Sequence, residues 1–274
     1  MSNKKNKKKK SKRKGLGQQK VARVDFSNIY KMEVDDLIGV CGDSHLGSKY
    51  DSLDEIELYY DILDDRGIKQ VFHAGDLVDG NDVYRGQQYE QKKWGFNDQM
   101  DYTVKNYPKK KQMKTFHIGG NHDTSYIKKM DANIGKAIAS RRLDMPYMGE
   151  YYARIKDEKF NFDLVHLRRG RAYAVSYPLQ TFLRESLNPN YMQYPQLVAS
   201  GHRHQNWIGQ LQSVWSCEVG HFQKPNPYTI EKGIISPRGG WILEMEREGP
   251  NIYMMDATFI QTDKRKPGSK YRKH

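Results

Sequence analysis

Leu37-Ile38-Gly39-Val40-Cys41-Gly42-Asp43-Ser44-His45 and, further on, Gln70-Val71-Phe72-His73-Ala74-Gly75-Asp76-Leu77-Val78-Asp79-Gly80 share one pattern. Each is a short apolar run that ends in glycine and then in carboxylates or imidazoles. An apolar run of this length bounded by turn residues reads as a buried strand. Between the two, Ser52 and Glu55 have the spacing of a capping box. Leu53, Ile56, Tyr60 and Leu63 follow at helical intervals, and Gly67 stands where a C-terminal cap belongs. A strand, a helix and a second strand imply a parallel pair with a right-handed crossover.

The pattern continues outward. Thr115-Phe116-His117-Ile118 predicts a third strand, running into Gly119-Gly120-Asn121-His122-Asp123. Ile127, Met130, Ile134 and Ile138 predict one amphipathic helix. Phe162–Val165 ends in His166, and Leu197–Ser200 ends in Gly201-His202-Arg203-His204. Val214–Cys217 predicts another strand. Trp241–Met245 and Ile252–Phe259 read as a hairpin with Gly249-Pro250 in its turn. The sum is an α/β layered fold of mixed sheets flanked by helices, parallel early and antiparallel late. Residues 80–112 form a polar, aromatic-bearing insertion, cap-like in composition, with a short helix ending before Pro108.

The formal net charge of +13 is unevenly distributed. Residues 1–20 carry ten Lys or Arg and no acid; residues 261–274 carry six and a single Asp263. The stretch between, 21–260, has two more acids than bases. A uniformly basic nucleic-acid-binding domain is therefore excluded, and affinity for polyanions from net charge belongs to the arms. Residues 1–20 and 262–274 are expected to be disordered basic tails around one domain spanning 21–261. Two cysteines, Cys41 and Cys217, make neither a disulfide scaffold nor a zinc-finger spacing. No apolar run reaches the ~18–20 residues that span a bilayer. A cytoplasmic, non-membrane protein is the expectation.

In open α/β sheets, ligands bind beyond the carboxyl ends of the strands, where these polar clusters fall. Carboxylates, imidazoles and one amide oxygen form a mixed O/N donor set without thiolate. Such a set suits Mn²⁺, with Fe²⁺, Zn²⁺ and Co²⁺ as alternatives. There are too many donors for one ion; two fit if one carboxylate bridges them. His73 and His117 lie upstream of their motifs and are expected to pack structurally, Cys41 and Cys217 to be buried. Asp79 is expected to shape the loop or support the ligands.

D-x-H, G-D-x-x-D, G-N-H-D, a strand-borne His and G-H-x-H, in that order, resemble the calcineurin-like metallophosphoesterases. The likeness runs from Leu37 to His204 and more loosely to Phe259. It implies that Asp43, His45, Asp76 and His204 hold one metal. Asp76, Asn121, His166 and His202 hold the other, with Asp76 bridging. It further implies that His122 touches the phosphate and the leaving oxygen, that Asp123 orients His122, and that a metal-bridging hydroxide attacks phosphorus. Members related to Ser/Thr protein phosphatases carry Arg after G-D-x-V-D and Glu after G-N-H; here Gly80 and Asp123 stand there. Purple acid phosphatases place a Tyr beside the second motif's Asp; here it is Leu77. The pattern is closer to the phosphodiesterase and repair-nuclease branch.

Three readings remain at this point: a nuclease-like phosphodiesterase acting on nucleic acid, notably DNA; a small-molecule or cyclic-nucleotide phosphodiesterase; and a catalytically silent interaction module on the same fold. Arg168, Arg169 and Arg171 follow His166 and suit phosphate oxygens, or else form a solvated loop. Tyr84, with Tyr89, Trp94 and Phe96, is placed either to stack bases or to pack the insertion's own core.

Overall fold

The computed structural model describes residues 27–158, 160–168, 174–186 and 194–263. In chain order the elements are β1 (Ile29–Lys31), β2 (Leu37–Cys41), α1 (Leu53–Asp65), β3 (Gln70–His73), α2 (Gly95–Asn106), β4 (Lys114–Gly119), α3 (Ser125–Met130), α4 (Ile134–Arg141), β5 (Tyr147–Glu150), β6 (Tyr152–Asp157), β7 (Phe160–His166), α5 (Tyr177–Ser186), β8 (Leu197–Gly201), β9 (Asn206–Leu211), β10 (Val214–Val219), α6 (Pro227–Glu231), β11 (Gly239–Glu248) and β12 (Asn251–Gln261).

They build two six-stranded sheets, ordered β12-β11-β2-β3-β4-β5 and β1-β6-β7-β8-β10-β9. In the first, β2, β3, β4 and β5 run parallel and the β11–β12 hairpin adds antiparallel to β2. The second is mixed, with β7, β8 and β10 parallel and β9 antiparallel to β10. The late half is thus less uniformly antiparallel than its sequence suggests. Long connections such as the one carrying α5 return the chain to the same end of the sheet.

Alternation along β2 shows the layering. Ile38 and Val40 face the second sheet and pack with Phe72, Ile118, Phe162, Leu164 and Leu243. Cys41 points the other way, into a core made with Ile56, Tyr59 and Leu63 of α1, Met100 of α2 and Ile138 of α4. Leu179, Phe182 and Leu183 of α5 cover the outer face of the second sheet. Helix, sheet, sheet and helix are therefore stacked in four layers, as a layered α/β pattern demands. The insertion joins this packing: α2 ends before Pro108, as expected, and contributes Met100 to the outer core. Among the described residues no helix is long and apolar enough to cross a membrane.

Two local expectations are corrected. Ser52 precedes α1, but its side chain caps nothing. Glu55 instead accepts hydrogen bonds from the Arg238 guanidinium at 2.9 Å and from Thr262 at 3.2 Å. The helix expected through Ile127 and Ile138 is two helices. Asp131 takes a left-handed φ of 53°, ending α3, and Asn133 caps α4 by accepting from the Lys136 amide. Gly67, at φ 74°, does close α1 as expected. Of the tails expected at 1–20 and 262–274, residues 1–20 and 264–274 lie outside the described residues, whereas Thr262 is buried and its hydroxyl donates to Glu55, so the fold runs past the expected start of the C-terminal tail.

Candidate metal centre

Five strands end at one edge of the molecule. β2 delivers Asp43 and His45, β3 delivers Asp76, and β4 delivers Asn121 and His122. From the facing sheet, β7 ends in His166, and β8 leads to His202 and His204. The loops interlock through their backbones: Asp43 N–H donates to Gly75 O at 3.0 Å and His45 N–H to Asp76 O at 3.0 Å. Five of these side chains sit on left-handed backbone: Asp43 (48°), His45 (46°), Asp76 (53°), His202 (89°) and His204 (52°). Such conformations cost about 1–3 kcal/mol each and persist at sites where geometry is over-determined. Glycine is required where these loops meet. A Cβ on Gly120 would lie 2.2 Å from Asp76 Oδ1, and one on Gly75 would lie 2.6 Å from His166 Nδ1.

The side chains form linked clusters whose donor atoms lie within 4.8 Å of one another: Asp43, His45 and His204; His45, Asp76 and His122; and Asp76, His166 and His202. His45 Nε2 and His204 Nε2 are 3.0 Å apart, and His204 Nε2 is 3.8 Å from Asp43. On the other side, His166 Nε2 lies 3.1 Å from Asp76 Oδ2 and 3.2 Å from Asn121 Oδ1. His166 Nδ1–H donates to Ala74 O at 2.8 Å, which fixes the tautomer and turns Nε2 inward. His202 N–H donates to Asp43 at 2.9 Å, orienting that carboxylate.

Burial dominates the protonation of the cleft side chains. Burial pushes His45 and His204 well below the ordinary imidazole range and His202 to about 3, leaving them neutral and competent as donors. Burial also pushes Asp43 well up, with Asp76 adding to it. His166 runs the other way. Burial opposes its charge, yet the Asp76 and Asp43 carboxylates hold it up to about 9. Two buried carboxylates facing imidazoles and an amide oxygen are a mixed O/N donor set. The donor set therefore fits divalent ions: Asp43, His45 and His204 on one side, His166, His202 and Asn121 on the other, and Asp76 between.

His122 lines the same cleft, but Asp123 does not orient it. The Asp123 carboxylate accepts three backbone bonds, from Leu77 (3.2 Å), Val78 (3.0 Å) and Gly120 (2.7 Å), tying the second and third motifs together. The ring is held by Asp79. His122 Nδ1–H donates to the Asp79 carbonyl at 2.6 Å, with the Asp79 carboxylate 4.0 Å away. Burial raises that carboxyl to about 6. Three glutamines from the insertion brace this turn: Gln87 donates to Asp79 O at 2.7 Å, Gln99 to Gly80 O at 2.9 Å, and Gln91 to the same carbonyl. The sequence of a polar insertion gives no sign of which glutamines turn inward.

A cleft of about 520 Å³ opens over the site. Tyr84 and Arg168 line it, as does Arg203, which the sequence reading left without a role. Arg169 and Arg171 lie outside the described residues. Tyr89 and Trp94 are exposed, and Phe96 packs on Tyr126 at 5.5 Å. His73 and His117 are buried, His73 beside Ser44 Oγ at 2.8 Å. Cys41 and Cys217 are buried free thiols.

A family model, calcineurin-like phosphoesterase, matches residues 37–206. Comparison with curated proteins returns no match. Among solved structures, one of an archaeal phosphodiesterase aligns at 13% identity and TM-score 0.47, covering 82% of this chain and 99% of the other. Vps29 from Entamoeba histolytica, complexed with zinc, aligns at 13% and 0.45, covering 83% and 99%. A conserved uncharacterized protein from Streptococcus pneumoniae, described as a predicted phosphoesterase, aligns at 14% and 0.39, covering 86% and 96%.

Proposed function

The chain belongs to the calcineurin-like phosphoesterase family, and from that membership we propose that it is a dinuclear metal-dependent phosphodiesterase whose substrate is nucleic acid. The observation that carries this reading is the convergence of seven donor side chains from five strand ends in one buried cleft, with His122 held beside them.

Asp43, His45 and His204 would hold one ion, and Asn121, His166 and His202 the other, with Asp76 shared. Two divalent ions, Mn²⁺ in this proposal, supply Lewis-acid polarisation of the phosphate and an acidified water when bound. The chain's own residues do the rest. The Asp79 carbonyl keeps the proton on His122 Nδ1, so Nε2 is the nitrogen offered to substrate. From Nε2 the ring can pass a proton to the departing ester oxygen, and the Asp79 carboxylate lies 4.0 Å from Nδ1 on the other side of the ring. Arg168 and Arg203 on the cleft wall suit the non-bridging phosphate oxygens.

The test uses metal-stripped protein. Adding Mn²⁺ should restore hydrolysis of bis(p-nitrophenyl) phosphate, with two ions bound per chain. His122→Ala should keep both ions while turnover falls roughly 10²–10⁴-fold, the range of general acid catalysis. A normal rate in that variant overturns the mechanism. Two bound ions with no hydrolysis of any ester, whether cyclic nucleotides or single- and double-stranded DNA, would make the chain a silent module. Turnover of cyclic nucleotides but not DNA would make it a small-molecule phosphodiesterase.

A further inference from the structure

Tyr84 follows the second metal motif, and Tyr228 arrives 144 residues later on α6, yet their rings stack with centroids 5.2 Å apart and planes at 26°. Both line the cleft over the metal centre. Each is held in place. The Tyr84 hydroxyl donates to Glu90 at 2.8 Å, and its ring meets His122 edge-on at 6.3 Å. Tyr228 follows Pro227 at the start of a helix locked by reciprocal bonds: Asn226 accepts from the Thr229 amide at 2.7 Å, and Thr229 accepts from the Asn226 amide at 2.8 Å. A five-residue helix contributes little core, but this cap fixes the ring it carries. Tyr228 remains 43% exposed. Lys232 Nζ lies 5.9 Å from its centroid. Gln205 also lines this cleft.

We propose that Tyr84 and Tyr228 form a preorganised platform for the base of one nucleoside, placed beside the phosphate the metals hold. This rests on the phosphodiesterase reading of the same site. A planar aromatic surface receives a base by stacking. The cleft's 520 Å³ suits a single nucleotide unit, so a longer strand continues outside it. An alkyl phosphate would leave this surface bare.

Two probes with one leaving group isolate the platform: thymidine 5′-(p-nitrophenyl phosphate) and methyl p-nitrophenyl phosphate, both with Mn²⁺. The nucleoside ester should be preferred at least about tenfold in kcat/KM, mainly through KM, as expected of a stacked base. Tyr228→Ala should collapse that ratio toward one, and Tyr228→Phe should preserve it. Calorimetric binding of adenosine 5′-monophosphate to the metal-stripped protein gives a readout free of catalysis. Tyr228→Ala should weaken it about tenfold, and Tyr228→Phe should restore it. Equal use of the two esters, with nucleotide binding indifferent to Tyr228, overturns the platform and leaves the phosphodiesterase reading intact. Tyr228-dependent nucleotide binding without hydrolysis of either ester does the reverse.

Discussion

The two aspartates beside His122 have exchanged the roles that local sequence suggests. Asp123 is adjacent in the chain, yet its carboxylate is consumed by three backbone amides; Asp79 holds the imidazole through a carbonyl. A backbone acceptor carries no residue signature, so no motif could have announced it. The candidate metal donors were legible because each follows an apolar strand within a few residues. The two aspartates therefore make separable predictions. Asp79→Asn keeps the carbonyl but removes the charge facing His122; turnover should fall about tenfold at full metal occupancy, a fraction of the range for general acid catalysis. Asp123→Asn can retain only part of its three bonds. It should cost roughly 2–3 kcal/mol in urea unfolding and weaken metal binding, since buried donors left unpaired carry about 1–3 kcal/mol each. Metal counting alongside kcat separates the two, and a kcat loss in Asp123→Asn with stability and metal content unchanged would restore the adjacent-residue assignment.

At the scale of elements, the strands and α1 were legible because apolar runs and helical spacing are local. What ended or anchored them was not. The box Ser52–Glu55 has the right spacing, but Glu55 is taken by Arg238 and Thr262, residues that reach α1 only in the folded state. The ion pair is largely shielded, with side chains 16% and 10% exposed. Its loss leaves a guanidinium poorly solvated, whereas Ser52 loses no bond. Glu55→Gln should lower unfolding stability by about 1–2 kcal/mol, below the figure for fully buried pairs because some solvent reaches it. Ser52→Ala should change stability by less than about 0.5 kcal/mol, against the ~1 kcal/mol of a working cap. Urea midpoints of the two variants decide it, and a larger loss at Ser52 would reinstate the cap.

For the whole molecule, the sequence reveals a nearly neutral core between basic arms but not how many imidazoles that core buries away from the metal centre. His117, in β4, is one: burial lowers it to about 4, with a backbone hydrogen bond from its ring to Met145 offsetting part of the shift. Its ring packs against Tyr147 at 5.4 Å. Burial likewise lowers His221 to about 4 and His73 to about 3, but these border the candidate metal site, His221 stacked on His204 at 4.7 Å and His73 beside Ser44 at 2.8 Å. An unfolded imidazole titrates near ~6.5, so between that value and about 4 the unfolded chain binds more protons than the folded one. Stability is then complete above pH ~6.5 and is lost as the pH falls toward 4, where the folded His117 itself protonates. At pH 5 the share belonging to His117 is about 2 kcal/mol by linkage. His117→Gln removes that share alone. With chelator present throughout, to exclude the pH dependence of metal binding, the fall in unfolding free energy from pH 7 to pH 5 should be about 2 kcal/mol smaller in the variant than in the parent chain. Equal falls in the two proteins would mean that His117 takes up its proton over the same pH range folded as unfolded and that its burial does not set the acid limit of the fold.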